Sequence, residues 1–233
     1  MSVRRHALVR ALAACLLARG AGGAEAAPAP LPAPARPPDC VEIAAGASLQ
    51  DAVASAAEGS ALCLAPGDYD GPVRVDRRLT LWGPRDAVIR SHGSGTTVAL
   101  SAAGSQLLGL TVDGSGGRFD LLDAAVHVTG DDVRVEGVLV RNALFGVLAD
   151  RCRRLSLLES EIEGQPGTAL SLRGDGVRLW EVHDSLVARN RLRDSRDMVV
   201  WYAPGNRIED NSIVRGRYGT HLMYSHGNVV EGN

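Results

Sequence analysis

The chain has 233 residues, 25 basic against 27 acidic, a formal net charge of −2 and 45% hydrophobic residues. It contains no lysine, so every basic residue is an arginine, and these are spread among Asp and Glu in a way that argues against a nucleic-acid patch. No stretch after the N-terminal leader approaches the roughly 20 apolar residues of a membrane-spanning helix.

Residues 1–26 read as a secretory signal: Arg4, Arg5 and Arg10, a small-apolar run from Ala11 to Ala18, then Ala24-Glu25-Ala26 in the form of a cleavage site. Leu12-Ala13-Ala14-Cys15 resembles a lipoprotein box, but almost no uninterrupted apolar core precedes it, so a soluble periplasmic protein is expected rather than an anchored one. Residues 27–38 are rich in Pro and Ala, cannot bury a core, and are expected to form a stiff, disordered linker. The folded domain is expected to span 39–233 as one unit.

Cys40 and Cys63 bracket the first folded segment. Their spacing fits neither a redox pair nor a zinc knuckle, and in an exported chain it favours a disulfide over two free thiols. Ser48 opens a capping-box-like start, with Leu49, Ala52, Val53 and Ala56 at helical spacing up to Gly59. A short helix here would cover the open end of a stack of strands. Ala61–Leu64, Val73–Val75 and Leu79–Trp82 then read as short strands, with turns at Pro66-Gly67 and Gly71-Pro72.

From there one phrase recurs: Val187-Ala-Arg-Asn190, Ile208-Glu-Asp-Asn211 and Val230-Glu-Gly-Asn233, with asparagines 21 and 22 residues apart. Aligned earlier members centre on Leu110, Val138 and Ser160. A fixed period of this size marks a stacked-coil architecture. The predicted fold is all-β, a right-handed parallel β-helix, with the longer intervals absorbed by insertions near Asp113–Gly117 and Gln165–Asp175. Asn190, Asn211 and Asn233 are expected to be structural, at bends that tolerate left-handed backbone and with amides bonded from coil to coil. Ending at Asn233 in mid-coil, the sequence is expected to be truncated at its C-terminus.

A second alignment joins Val177-Arg-Leu-Trp180, Met198-Val-Val-Trp201 and Thr220-His-Leu-Met223. With alternate residues inward, Trp180, Trp201 and Met223 form one outward column beside Arg178, Val199 and His221. The candidate partner or ligand face is therefore Arg178, Trp180, Trp201, His221 and Met223, unless a segment of the same chain covers the tryptophans. His221, Met223 and His226 are the candidate metal ligands, of types suited to copper. Glu181-Val-His183-Asp184 invites an acid/base reading but fits turn residues better. Cys152 is expected to be a half-buried coil residue, and Asp175, Arg196 and Arg217 an exposed charge ladder of little energetic weight.

At Gly174–Trp180, Ser195–Trp201 and above all Arg217-Tyr-Gly-Thr-His-Leu-Met-Tyr-Ser225, the chain resembles the NosD family, within the wider group of carbohydrate-binding and sugar-hydrolase-type β-helices. The Leu64-Ala-Pro-Gly-Asp-Tyr69 segment is similar too. The resemblance implies a non-enzymatic periplasmic protein that works with an ABC transporter permease and ATPase in assembling the copper site of nitrous oxide reductase. The alternative is a carbohydrate-active β-helix: a polysaccharide lyase, an epimerase or a sugar-binding module.

Overall fold

A computed structural model describes residues 31–233; the expected signal segment and the first residues of the Pro/Ala stretch lie outside the described residues. Short strands turn about a common axis and pair in parallel with strands one coil away, which builds three sheets. The first sheet has nine strands, from Cys40–Ile43 and Ala61–Leu64 through Ser156–Leu158, Leu186–Ala188 and Arg207–Glu209 to Val229–Glu231. The second has seven, from Gly67–Asp70 to Ser212–Val214. The third also has seven: Val73–Val75, Val98–Leu100, Ala124–Val128, Phe145–Asp150, Val177–Trp180, Asp197–Trp201 and Gly219–Met223. The expected parallel β-helix is present.

Strands of three to six residues carry their apolar side chains inward, and these superpose in layers. In the first sheet Leu107, Val135, Leu157, Val187, Ile208 and Val230 stand opposite one another from coil to coil. All but Val230, in the last coil, are fully buried. Burying such a side chain is worth roughly 1.5–3 kcal/mol, so stacking supplies most of the drive to fold.

The expected helix spans Leu49–Ser55, with Ser48 Oγ accepting from Asp51 N at 3.3 Å and Leu49 and Val53 buried. Gln50 accepts the backbone N–H of Arg74 at 2.7 Å, so the helix satisfies a donor on the edge strand Val73–Val75 while covering core. Between the expected turns at Pro66-Gly67 and Gly71-Pro72, Gly67–Asp70 forms a further strand: the ring of Tyr69 is buried, and its single hydroxyl hydrogen is shared between Ile43 O and Ala65 O, each 2.8 Å away. Residues 31–39 have no regular secondary structure, and Pro34 O accepts from Trp82 Nε1 at 3.1 Å. At Gly137 a Cβ would lie 2.4 Å from Pro34 Cδ, so this coil needs glycine where the segment around Pro34 crosses it.

The asparagines work as a ladder with a different geometry from the one expected. Asn190 Oδ1 accepts Ser160 N, and Asn211 Oδ1 accepts both Asn190 N and Asn190 Nδ2. Asn233 Oδ1 accepts Asn211 N in turn. The left-handed residues are those just before the ladder positions, Glu159, Arg189 and Asp210. That turn directs the next side chain inward, where its amide reaches the coil behind. A second ladder, Ser185, Asn206 and Asn228, runs parallel to the first: Ser185 N donates to Asn206 Oδ1 at 3.0 Å and Asn206 N to Asn228 Oδ1 at 2.7 Å.

Candidate functional site

Alternation places Val177, Leu179, Met198 and Val200 in the core and sets their neighbours on the outer face of the third sheet. Trp180 stands opposite Trp201, and Trp201 opposite Met223; Arg178 stands opposite Val199, and Val199 opposite His221. Strand neighbours lie about 4.8 Å apart, so side chains in a column touch.

Each of these strands ends in a left-handed residue, namely Glu181, Tyr202 and Tyr224. The turn swings the two tyrosines alongside the tryptophan column. Trp180 and Trp201 have ring centroids 4.8 Å apart, Trp180 meets Tyr202 edge-on at 5.5 Å, and Tyr202 stacks on Tyr224 at 5.0 Å with planes 9° apart. Tyr224 is 74% exposed and Tyr202 43%, so the patch faces solvent. Sequence reasoning missed both tyrosines, although their 22-residue spacing directly after Trp201 and Met223 was the available signal.

Beside the rings lies a charged column. Asp175 and Asp197 are 2% and 0% exposed, which corrects the expectation of an exposed ladder. Arg196 Nε donates to Asp175 at 2.9 Å; Arg217 donates to Asp197 through Nε and Nη2, and Tyr218 N adds a bond at 2.7 Å. Burial pushes the Asp175 carboxyl above its ordinary value despite the Arg196 bond. The Arg178 guanidinium lies over Trp180 and Trp201, 5.1 and 5.9 Å from their centroids, and among the described residues it enters no ion pair.

These groups enclose a recess of about 190 Å³ lined by Asp175, Arg178, Arg196, Val199, Trp201, Arg217, His221 and Met223. Two polar atoms of its lining residues, Trp201 Nε1 and His221 Nδ1, are buried and have no hydrogen-bond partner among the described residues. His221 and Met223 thus share one recess. His226 lies in the following turn, where its carbonyl accepts Gly205 N, and does not line it. No group of three or more His, Cys, Asp or Glu side chains placed to hold a metal ion occurs among the described residues.

A second recess of about 300 Å³ adjoins the first through Arg178 and is lined by Leu122, His127, Leu148, Asp150, Arg151 and Trp180 among others. The 114–123 insertion reaches this end of the sheet, with Phe119 edge-on to Phe145 at 5.6 Å. Its Leu122 touches the margin of the stripe and leaves Tyr202 and Tyr224 exposed. Glu181, His183 and Asp184 occupy the turn after Val177–Trp180, where Glu181 accepts from Trp180 Nε1 and Asp184 faces Arg153 at 3.5 Å. Cys40 and Cys63 form a disulfide at the opening coil. Cys152 is fully buried rather than half-buried, and burial, followed by the charges of Asp131 and Asp150, pushes its thiol up to about 12.

These features define a parallel β-solenoid carrying an aromatic, arginine-lined stripe on one sheet. The family described as periplasmic copper-binding protein (NosD) matches residues 158–233, the segment holding Trp180, Trp201, His221 and Met223. The chain is similar to the probable ABC transporter binding protein NosD of Stutzerimonas stutzeri, with 30% identity over 136 residues, 58% of this chain and 31% of that protein. It is likewise similar to the protein of that name from Pseudomonas aeruginosa, at 32% identity over 58% of this chain and 32% of the relative. The chain thus matches about a third of the length of these curated relatives. Among solved structures it shares the fold of Escherichia coli YbhC, with a TM-score of 0.53, 14% identity and 88% of each chain covered.

Proposed function

We propose that this chain works in the periplasm as a NosD-like accessory protein, acting with an ABC transporter in assembly of the copper site of nitrous oxide reductase. The observation that supports this reading is positional. The segment similar to NosD is the one whose outer face carries stacked rings, a thioether and an imidazole. In this reading Trp180, Trp201, Tyr202 and Tyr224 form the docking face, and large aromatic side chains are the usual anchors of such surfaces.

Copper is cargo in this scheme. His221 and Met223 are its proposed contacts, since imidazole accepts either copper state and thioether favours Cu(I). His221 and Met223 line one recess, which supports a donor pair, with His226 in the next turn as the third candidate. Two donors on one strand leave coordination open to an incoming partner, which suits transfer rather than storage. The test is deletion of the gene in its own host, complemented with the parent or with a Trp180→Ala, Trp201→Ala double variant. Purified nitrous oxide reductase should lose copper and activity in the deletion strain and recover little with the variant. A fully copper-loaded reductase in the deletion strain would sink the proposal.

A second reading, a carbohydrate-active β-helix, is favoured by the same ring patch, because exposed aromatic platforms suit sugar rings. Release of unsaturated uronate products, followed by ultraviolet absorbance, would establish a lyase and displace the first reading.

A further inference from the structure

The recess on the third sheet has a charge imbalance that docking does not explain. Three guanidiniums, Arg178, Arg196 and Arg217, line it together with one carboxylate, Asp175, and a second carboxylate, Asp197, is buried against Arg217. Each carboxylate is held by one arginine, Asp175 by Arg196 and Asp197 by Arg217. Arg178 is left as one net positive charge. Stacking over Trp180 and Trp201 fixes the plane of its guanidinium and uses none of its N–H groups, which project from the rim of that plane. A planar fork fixed in this way matches a carboxylate.

The groups beside this cationic centre are ring faces. Trp180, Trp201 and Tyr202 lie within 6.0 Å of one another, centroid to centroid, and Tyr202 carries Tyr224 stacked on its outer side. A cavity of about 190 Å³ is below the roughly 300–1,000 Å³ of a site for a drug-sized ligand, so it fits one anionic unit. The adjoining recess of about 300 Å³ shares Arg178 and gives a longer ligand room to continue along the helix axis.

We infer that the outer face of the third sheet binds an acidic saccharide, with a uronate carboxylate on Arg178 and the sugar ring against the Trp180, Trp201 and Tyr202 faces. The site is proposed as one of binding, because the carboxylate in its wall, Asp175, is already paired with Arg196. The inference rests on the carbohydrate reading and names its ligand class; it does not depend on the copper reading, which its failure leaves intact.

The test uses the whole chain with Trp82→Phe, so that of the three tryptophans only Trp180 and Trp201 report by fluorescence. Galacturonate should perturb the emission in the millimolar range, and trigalacturonate should bind at least ten-fold more tightly. Galactose and acetate should each bind at least ten-fold more weakly than galacturonate. Arg178→Gln should weaken galacturonate about ten-fold, and Trp201→Ala, which removes a ring face, several-fold. Should Arg178→Gln fail to fold, Arg178→Lys keeps the charge and removes the fork, and should show a similar loss. Acetate binding as well as galacturonate would reduce the site to a bare anion pocket and overturn the inference. So would galactose binding equally well, no response to any uronate, or full affinity in a folded Arg178 variant.

Discussion

Replacing Asn190 by Ala tests the ladder at its most enclosed rung. Asn190 is 0% exposed; its Oδ1 accepts Ser160 N at 3.0 Å, and its Nδ2 donates to Leu157 O and to Asn211 Oδ1 at 2.9 Å each. Truncation strands the buried Ser160 N–H, at about 1–3 kcal/mol, and removes further bonds worth about 0.5–1.5 kcal/mol each. The expected loss is about 2–6 kcal/mol. At roughly 2–4 °C per kcal/mol for a domain of this size, the melting temperature followed by circular dichroism should fall by about 5–25 °C. Hydrogen exchange at the Ser160 amide should rise more than at the Ser185 amide, which the second ladder holds. Asn190→Asp should cost at least as much, since a carboxylate in that place cannot donate to Leu157 O or Asn211 Oδ1. A variant that melts within about 1 °C of the parent and keeps Ser160 protected would refute the assignment of stability to this rung.

Other consequences can be checked on the same protein. Reducing the Cys40–Cys63 bridge, or replacing both with Ser, should cost about 3 kcal/mol in the chain-entropy model for a separation of 23 residues, measured by urea unfolding with and without reductant. Burial would by itself raise the Asp113 carboxyl, but Asn142, Arg141 and Arg90 more than offset it and hold it below the ordinary carboxylate range. Its contribution is present above the unfolded value of about 4 and lost as pH falls through the lower folded value, so Asp113→Asn should flatten the acid limb of a stability–pH curve. Burial lowers the His127 imidazole, with Arg151 adding to it against Asp150, so the unfolded chain takes up a proton first and stability should fall as pH drops below about 6.5. His127→Gln should remove that slope, and an unchanged slope would count against it. Cys152 should remain unalkylated by iodoacetamide in the native protein, as read by peptide mass, and react fully in urea.

The fold was legible because its physics is repetitive. A coil that cannot bury its own apolar edge must stack, and stacking writes the same residue types every 21 or 22 positions, as in Val187, Ile208 and Val230. The register of Trp180, Trp201 and Met223 was readable for the same reason. The second ladder also leaves a repeat, Gly205-Asn206 and Gly227-Asn228, but its chemistry depends on which amide faces inward. Ser185 supplies a rung without being an asparagine at all.

The sequence by itself determined the period, the sheet alternation and which columns stand together, because these follow from counting residues along a regular strand. Only the tertiary structure decided what happens at the turns. Left-handed backbone at the strand ends swings Tyr202 onto the tryptophans and Tyr224 onto Tyr202, and Asp175 and Asp197 sink under their arginines. Arg178 remains the unmatched charge over two indole rings. Those outcomes depend on side-chain direction at bends and on competition among neighbouring coils for the same partner, neither of which a one-dimensional repeat records.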